Sequence, residues 1–212
     1  QAEARGVKVV NKPSSLRDCN EKVFATEFPQ CCTPFLVSSD DDLLREFINT
    51  HGDTVIKPLD GMGGSSIFRL KKGDSNIGVI LETITNHFET KVMIQRYIKE
   101  IKDGDKRILL VDGNHFGAAI SRVPAKGELR GNLAVGATAI ASSLTEKDIW
   151  ICEQVAPMLR EKELTLVGLD VIGDYLTEIN VTSPTCFREY KDLCDIDVAD
   201  KLLKVLESKA SG

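Results

Sequence analysis

The chain has 212 residues, 42% of them hydrophobic and 28% charged, and a net charge of -5, a composition that suits a globular protein able to bury a core as one large domain or two small ones. The acidic balance and the lack of any long basic run argue against nucleic acid as the main partner, because phosphate-backbone binding needs clustered Lys and Arg. No apolar run approaches the roughly 20 residues of a membrane span, and Gln1 to Gly6 lack the apolar segment of a signal peptide, so no membrane association and a cytoplasmic location are expected.

Six cysteines form no C-x-x-C pair and only three histidines are present, scattered; reduced thiols are the default, and a zinc hydrolase or a His-based triad has little to build on. The sequence starts without Met and opens almost directly into structure, which reads as a fragment. Gly6 to Asn11 has the pattern of a strand. Ser15 is placed to cap a helix through Leu16, Cys19, Lys22 and Val23, with Lys22 on or beside its apolar stripe; most such lysines simply reach water. A short strand is expected at 35–37. Asp40, Asp41 and Asp42 then open a helix whose stripe is Leu43, Leu44, Phe47 and Ile48, and His51-Gly52 ends it.

The next strand, Thr54 to Pro58, leads into Leu59-Asp60-Gly61-Met62-Gly63-Gly64-Ser65-Ser66 and a strand from Ile67 to Leu70. Glycines without side chains let backbone N–H groups come close to an anion. The loop lacks the G-K-[ST] ending of a Walker loop and the helix start of a dinucleotide fingerprint. A flexible hairpin tip has the same composition, but Lys57, fixed on the strand just before it, favours phosphate binding. Asn76 caps a helix to about Thr85, and 91–98 returns as a strand. Asp112-Gly113 marks the tip of a hairpin between Arg107–Val111 and His115–Val123. From Pro124 to Ser143 the periodicity dissolves, as in a functional lid or a disordered loop. Thr145 to Asp148 opens a helix in capping-box style, with Ile149, Cys152, Val155, Ala156 and Leu159 on its core side.

Two β-rich runs, 167–172 and 175–182, are joined through Gly173-Asp174 and read as a hairpin. Strand alternation puts Glu178 and Asn180 on one face. A two-residue turn would set Asp170 opposite Thr177, whereas a three-residue loop, Gly173 to Tyr175, sets it opposite Glu178 and gathers Val167, Leu169, Val171, Ile179 and Val181 on an apolar face. The odd-length loop is therefore expected. Asp170, Glu178 and Asn180 then form a set of oxygen ligands suited to Mg2+, with Gly168 leaving room beside them; ordinary surface acids on a solvated hairpin are the competing explanation. A closing amphipathic helix carries Ala199, Leu202, Leu203 and Leu206.

Lys22, Lys57, the glycine loop and the hairpin answer one need, a site for MgATP. Four stretches carry a resemblance: Lys57 to Ser65, Asp103-Gly104-Asp105-Lys106-Arg107, Arg130-Gly131-Asn132-Leu133-Ala134, and Leu169-Asp170 with Thr177 to Thr185. Together, in this order, they resemble the bacterial glutathione synthetase family of the ATP-grasp superfamily, from about Val9 to the end. The resemblance implies an α+β, ATP-grasp fold in which two small units with antiparallel sheets clasp the nucleotide. Residues 1–14 would be the remnant of a preceding domain or linker, 15–93 the first unit and 94–212 the second, with a lid at 124–143.

It further implies a carboxylate-amine ligase that joins γ-glutamylcysteine to glycine by way of an acyl phosphate, with ATP as co-substrate and Mg2+, or alternatively Mn2+, as the cation. Lys22, Lys57 and the loop Gly61, Met62, Gly63, Gly64 and Ser65 would hold phosphates. Gln95 to Ile98 would offer the backbone of Tyr97 and Ile98 to adenine, though a plain core strand has the same look. Arg122 is the candidate for stabilising the acyl phosphate, against an ordinary surface salt bridge. Asn132 and Ser183, Pro184 and Thr185 would meet substrate. Cys186 reads as a packed thiol. The lid departs from the family after Ala134, where Val135 to Ile140 lacks a further Gly-Arg-Gly, so an arginine contact to substrate is in question. The family's N-terminal domain helps hold the dipeptide and builds the dimer, so the resemblance implies as partners a homo-oligomer or a complementing N-terminal chain. The alternatives are another ATP-grasp amino-acid ligase and a nucleotide-binding module without turnover of its own.

Overall fold

The computed structural model describes residues 1–61, 64–128, 131, 133 and 136–211, and its main strands sort into two antiparallel sheets. The first runs in the order β1 (Phe35–Ser38), β4 (Val92–Arg96), β2 (Asp53–Pro58), β3 (Phe68–Lys71). Alternation divides it cleanly. Ile56, Leu70, Val92 and Ile94 face α2 (Asp41–His51) and α3 (Ile77–Ile84), where Leu44, Ile48 and Leu81 complete a core. Val55, Lys57, Arg69 and Gln95 take the other face, toward a cleft. Asp40 starts α2 by accepting the Leu43 N–H at 3.0 Å, with Asp41 and Asp42 in the positive first turn.

The second sheet has the order β10 (Tyr175–Asn180), β9 (Leu166–Ile172), β5 (Asp105–Val111), β7 (Ala118–Val123), β8 (Thr138–Ser143), and the short β6 (Asn114–His115) pairs with the end of β5. On one face Ile108, Leu110, Val167, Leu169, Val171 and Ile179 pack against Ile151, Cys152, Val155 and Leu159 of α4 (Glu146–Glu161). The other face serves two purposes. Leu109, Val111 and Ile120 lie under α5 (Phe187–Cys194) and α6 (Val198–Ser211) through Tyr190 and Val198, whereas Asp105, Arg107, Arg122 and Asp170 continue that face into the cleft.

Several expectations change. Gly6 to Asn11 is not a strand; Asn11 instead anchors the segment through its carboxamide, which donates to the carbonyls of Leu166 at 2.7 Å and Val181 at 2.8 Å and accepts the Leu166 N–H at 2.9 Å. The helix expected to reach Val23 is α1 (Pro13–Asp18), and it stops early because the Asn20 side chain accepts the N–H groups of Lys22 and Val23, both at 3.1 Å, in place of a helical carbonyl. Leu43 and Leu203 are exposed, and Ile151 rather than Ile149 is the buried position on α4. Asn76 precedes α3 without a side-chain cap. The final third of the expected lid is β8, an edge strand paired with β7.

Cys19, Phe24, Ala25, Phe28 and Cys31 pack into the core of the second sheet, although they precede the first sheet in the chain. The expected division between residues 93 and 94 falls inside β4.

Candidate functional site

The β9–β10 hairpin turns on two residues, since Tyr175 pairs with Ile172 and Leu176 with Val171; the odd-length loop is corrected. The face is nevertheless the expected one, because a bulge at Thr177 shifts the register and sets Glu178 opposite Asp170 and Asn180 opposite Gly168. Leu176, Ile179 and Leu169 stay in the core. Thr177 is held there by its hydroxyl, which donates to the Asp170 carbonyl at 3.0 Å.

Across the cleft, Lys57 on β2 is buried and donates to Glu178 Oε1 at 3.3 Å and to the Thr177 carbonyl at 3.4 Å. The bulge thus presents a backbone carbonyl as well as a carboxylate to this ammonium group. Lys22, also buried, sits 3.9 Å from Glu178 Oε1 and donates to the Gly61 carbonyl at 3.4 Å, so the glycine loop and both lysines meet at one point. Gly61 and Gly64 have φ of 96° and 73°, angles that side-chain-bearing residues rarely adopt.

Behind these charges lies a floor of arginines. Arg107 grips Asp170 with a fork of 2.6 and 3.1 Å; Arg122 reaches Asp170 at 3.1 Å and Asp105 at 2.5 Å. All four are buried or nearly so. Burial opposes ionisation of Asp170, but Arg107 and Arg122 outweigh it and hold the carboxyl below the ordinary carboxylate range. Asp105 goes the other way: burial, together with the charge of Asp170, pushes it up to about 7 against the pull of Arg122. Its Oδ1 is buried and has no hydrogen-bond partner among the described residues. Gly168 is what admits the guanidinium, for a Cβ there would lie 2.9 Å from both Arg107 Cδ and Pro184 Cβ.

Lys22, Lys57, Gly61, Gly64 and Ser65 line a single cavity of about 470 Å3 with Gln95, Tyr97, Ile98 and Arg122, and with Asp170, Glu178, Asn180, Ser183 and Thr185. The volume is in the range of small-molecule sites. Pro184 packs behind Gly168 instead. Met62, Gly63 and Asn132 lie outside the described residues. Tyr97 spends its N–H on the Asp53 carbonyl at 3.0 Å, which leaves its own carbonyl and the Ile98 N–H as the main-chain groups for a base edge. Cys186 is buried, and burial raises its thiol, which suits a packed side chain.

Sequence reasoning gave no role to Arg107, Asp105 or Arg69, although the first two stood in a stretch quoted for its resemblance. The signal was a charged pair of the same strand parity, 105 and 107, leading into the apolar run from Ile108 to Val111: on a buried strand such residues face a site or a partner.

Among the described residues no three His, Cys, Asp or Glu side chains form a metal cluster; the candidate donors are two carboxylates and an amide. The Asn180 nitrogen donates to the Gly168 carbonyl at 3.2 Å, so its oxygen is the atom left to a cation. Such a set fits a hard divalent ion that keeps part of its shell for water and phosphate.

Residues 21–195 match the family described as prokaryotic glutathione synthetase, ATP-grasp domain. The whole chain is 57% identical to a glutathione synthetase of Pseudomonas aeruginosa and 51% identical to one of Vibrio parahaemolyticus, and covers 67% of each; it spans about two thirds of the length of these curated relatives. Among solved structures, the ATP-grasp ligase PsnB, in complex with minimal precursor, Mg and ADP, superposes with a TM-score of 0.72 at 17% identity, over 99% of this chain and 65% of that one. A D-alanine–D-alanine ligase from Bacillus anthracis gives 0.66 at 14%, over 100% and 76%. At these identities the likeness is one of fold.

Proposed function

Because this chain belongs to the family of prokaryotic glutathione synthetase ATP-grasp domains and has the α+β ATP-grasp fold, we propose that it is an ATP-dependent ligase joining γ-glutamylcysteine to glycine. A carboxylate is a poor electrophile until one of its oxygens becomes a leaving group. Attack of the dipeptide's cysteinyl carboxylate on the γ-phosphorus of ATP releases ADP and forms the acyl phosphate. The glycine amine then attacks the acyl carbon, phosphate leaves with the C–O bond pair, and the amine sheds its proton to give glutathione.

The observation that carries this reading is the pairing of opposite charges across the cleft, with Lys57 of one sheet 3.3 Å from Glu178 of the other. Phosphate oxygens of a triphosphate would take the place of Glu178 on the two lysines, and a cation held by Glu178 would offset the charge left there. Asp170, Glu178 and Asn180 would hold Mg2+, or Mn2+, which when bound would offset charge on the transferred phosphoryl group. Lys57 and Lys22 bind the phosphates, with the loop from Gly61 to Ser65 over them. Tyr97 and Ile98 meet the base. Arg122, and Arg107 beside it, face the transferred oxygens as fixed positive charges whose position is set by buried carboxylates, so no reorganisation is needed during transfer. Ser183, Pro184 and Thr185 receive the amine substrate, with Asn132 toward the dipeptide. Gly131 and Leu133 of the lid line the same cavity, where closure would exclude the water that hydrolyses an acyl phosphate.

A second reading is a nucleotide-binding module without turnover of its own, because the pairing of Lys57 with Glu178 across the cleft asks only for a bound MgATP. ADP release is the test, measured with MgATP, γ-glutamylcysteine and glycine, for the chain alone and with the N-terminal third of a relative. We expect release that requires both amino-acid substrates. No release in either arrangement, with MgATP still raising the melting temperature, leaves the binding module standing and sinks the ligase.

A further inference from the structure

Resting on the reading of this cleft as a nucleotide site, we propose that Arg69 is a positioning residue for base selectivity, locking the Tyr97–Ile98 backbone in the orientation that accepts a 6-amino purine and rejects a 6-oxo purine. Arg69 lies on β3 beside Val55 of β2 and lines the cavity. Its guanidinium forms a fork on Asp53, Nε to Oδ1 at 2.8 Å and a terminal nitrogen to Oδ2 at 2.5 Å. The plane so fixed covers the Tyr97 ring, with Cζ 3.7 Å from its centroid. The loop of contacts closes through the main chain, because the Asp53 carbonyl accepts the Tyr97 N–H at 3.0 Å. One residue, Asp53, therefore holds both the backbone of Tyr97 and the cover of its ring.

The Arg69 and Asp53 side chains are 28% and 36% exposed, and a pair so accessible adds little to stability. What the fork adds is geometry. The Ile98 carbonyl is turned away to accept the Ile101 N–H at 3.2 Å, so the groups left for a base are an acceptor, the Tyr97 carbonyl, and a donor, the Ile98 N–H. A 6-amino purine presents a donor beside an unprotonated ring nitrogen and matches both. A 6-oxo purine presents an acceptor beside a ring N–H and opposes both, unless the Tyr97–Ile98 peptide can turn over. Arg69 and Asp53 are what prevent the turn.

The test is calorimetric titration of the 212-residue chain with MgATP, MgGTP and magnesium tripolyphosphate, for wild type, Arg69→Met, Arg69→Lys and Asp53→Asn. Wild type prefers ATP. Arg69→Met, which keeps a long side chain over the ring but loses the fork, narrows the ATP-to-GTP ratio by about tenfold, the equivalent of one hydrogen bond, and leaves tripolyphosphate affinity unchanged. Asp53→Asn does the same, and Arg69→Lys fails to restore the ratio because an ammonium cannot form the fork. If wild type shows no preference, or the variants weaken ATP and GTP equally, Arg69 has no part in selectivity. If wild type binds tripolyphosphate and neither nucleotide, the base end of the site is wrong and this inference falls with it. If it binds none of the three, the whole nucleotide reading falls.

Discussion

Asp105 occupies an unusual position among the cleft carboxylates. One oxygen takes the Arg122 guanidinium at 2.5 Å, and the other is buried with no partner among the described residues. Burial raises its pKa to about 7, above the ordinary carboxylate value of about 4. A carboxyl with a raised folded pKa contributes stability that is complete below its unfolded pKa and is lost as pH rises through the folded one. The melting temperature should therefore fall from about pH 4 to about pH 7, most steeply midway between the two, and level off above the folded value. Asp105→Asn, which cannot ionise, removes that part of the slope. Melting curves for the two proteins over this range decide it: parallel pH profiles would mean that Asp105 is ionised throughout and paired with Arg122.

At the scale of elements, the β9–β10 hairpin separates what a sequence reveals from what it conceals. Period-2 alternation was enough to put Glu178 and Asn180 on one face, and Asp170 was added to them through an odd-length loop that the structure replaces with a two-residue turn and a bulge. How the register achieves it was not legible, because a bulge at a threonine leaves no mark as a glycine bulge would. Lys22 illustrates the opposite error, since Leu16, Cys19, Lys22 and Val23 imitate helical spacing while the Asn20 side chain captures the N–H groups the helix would need. In β8 the small residues from Thr138 to Ser143, largely exposed along an edge, carry no alternation to read. The bulge itself is testable. Thr177→Val removes the hydroxyl that bonds the Asp170 carbonyl at 3.0 Å and should cost about 1 kcal/mol, which is about 2–4 °C in melting temperature for a chain of this size. Thr177→Ser keeps the donor and should lose much less. Equal losses by thermal denaturation would show that packing, not this hydrogen bond, holds the bulge.

For the whole molecule, the order of the motifs was legible, because glycine loop and ligand hairpin lie on elements with clear boundaries, whereas the two sheets came only with the family resemblance those motifs carry. The path of the first 34 residues was not legible, since their apolar side chains complete a core built from strands far along the chain, and no local pattern specifies that. The sheets are joined across the cleft by Lys57 and Lys22 on Glu178, and by Arg96 at the end of β4, which donates to the Tyr175 hydroxyl at 3.1 Å and to Thr33 Oγ1 at 3.0 Å. A ligand held between them stabilises both together and leaves the unfolded chain unaffected. MgATP at about a hundred times its dissociation constant should thus add about 2.7 kcal/mol, a rise of roughly 5–11 °C in one transition. ATP without Mg2+ should do less, since Glu178 and Asp170 then repel the phosphates with no cation between them. Lys57→Ala should lose most of the rise while retaining its fold by circular dichroism, because Glu178 keeps Lys22 within 3.9 Å. A shift of the same size in Lys57→Ala, or one that ignores Mg2+, would mean that the nucleotide binds somewhere other than between these sheets.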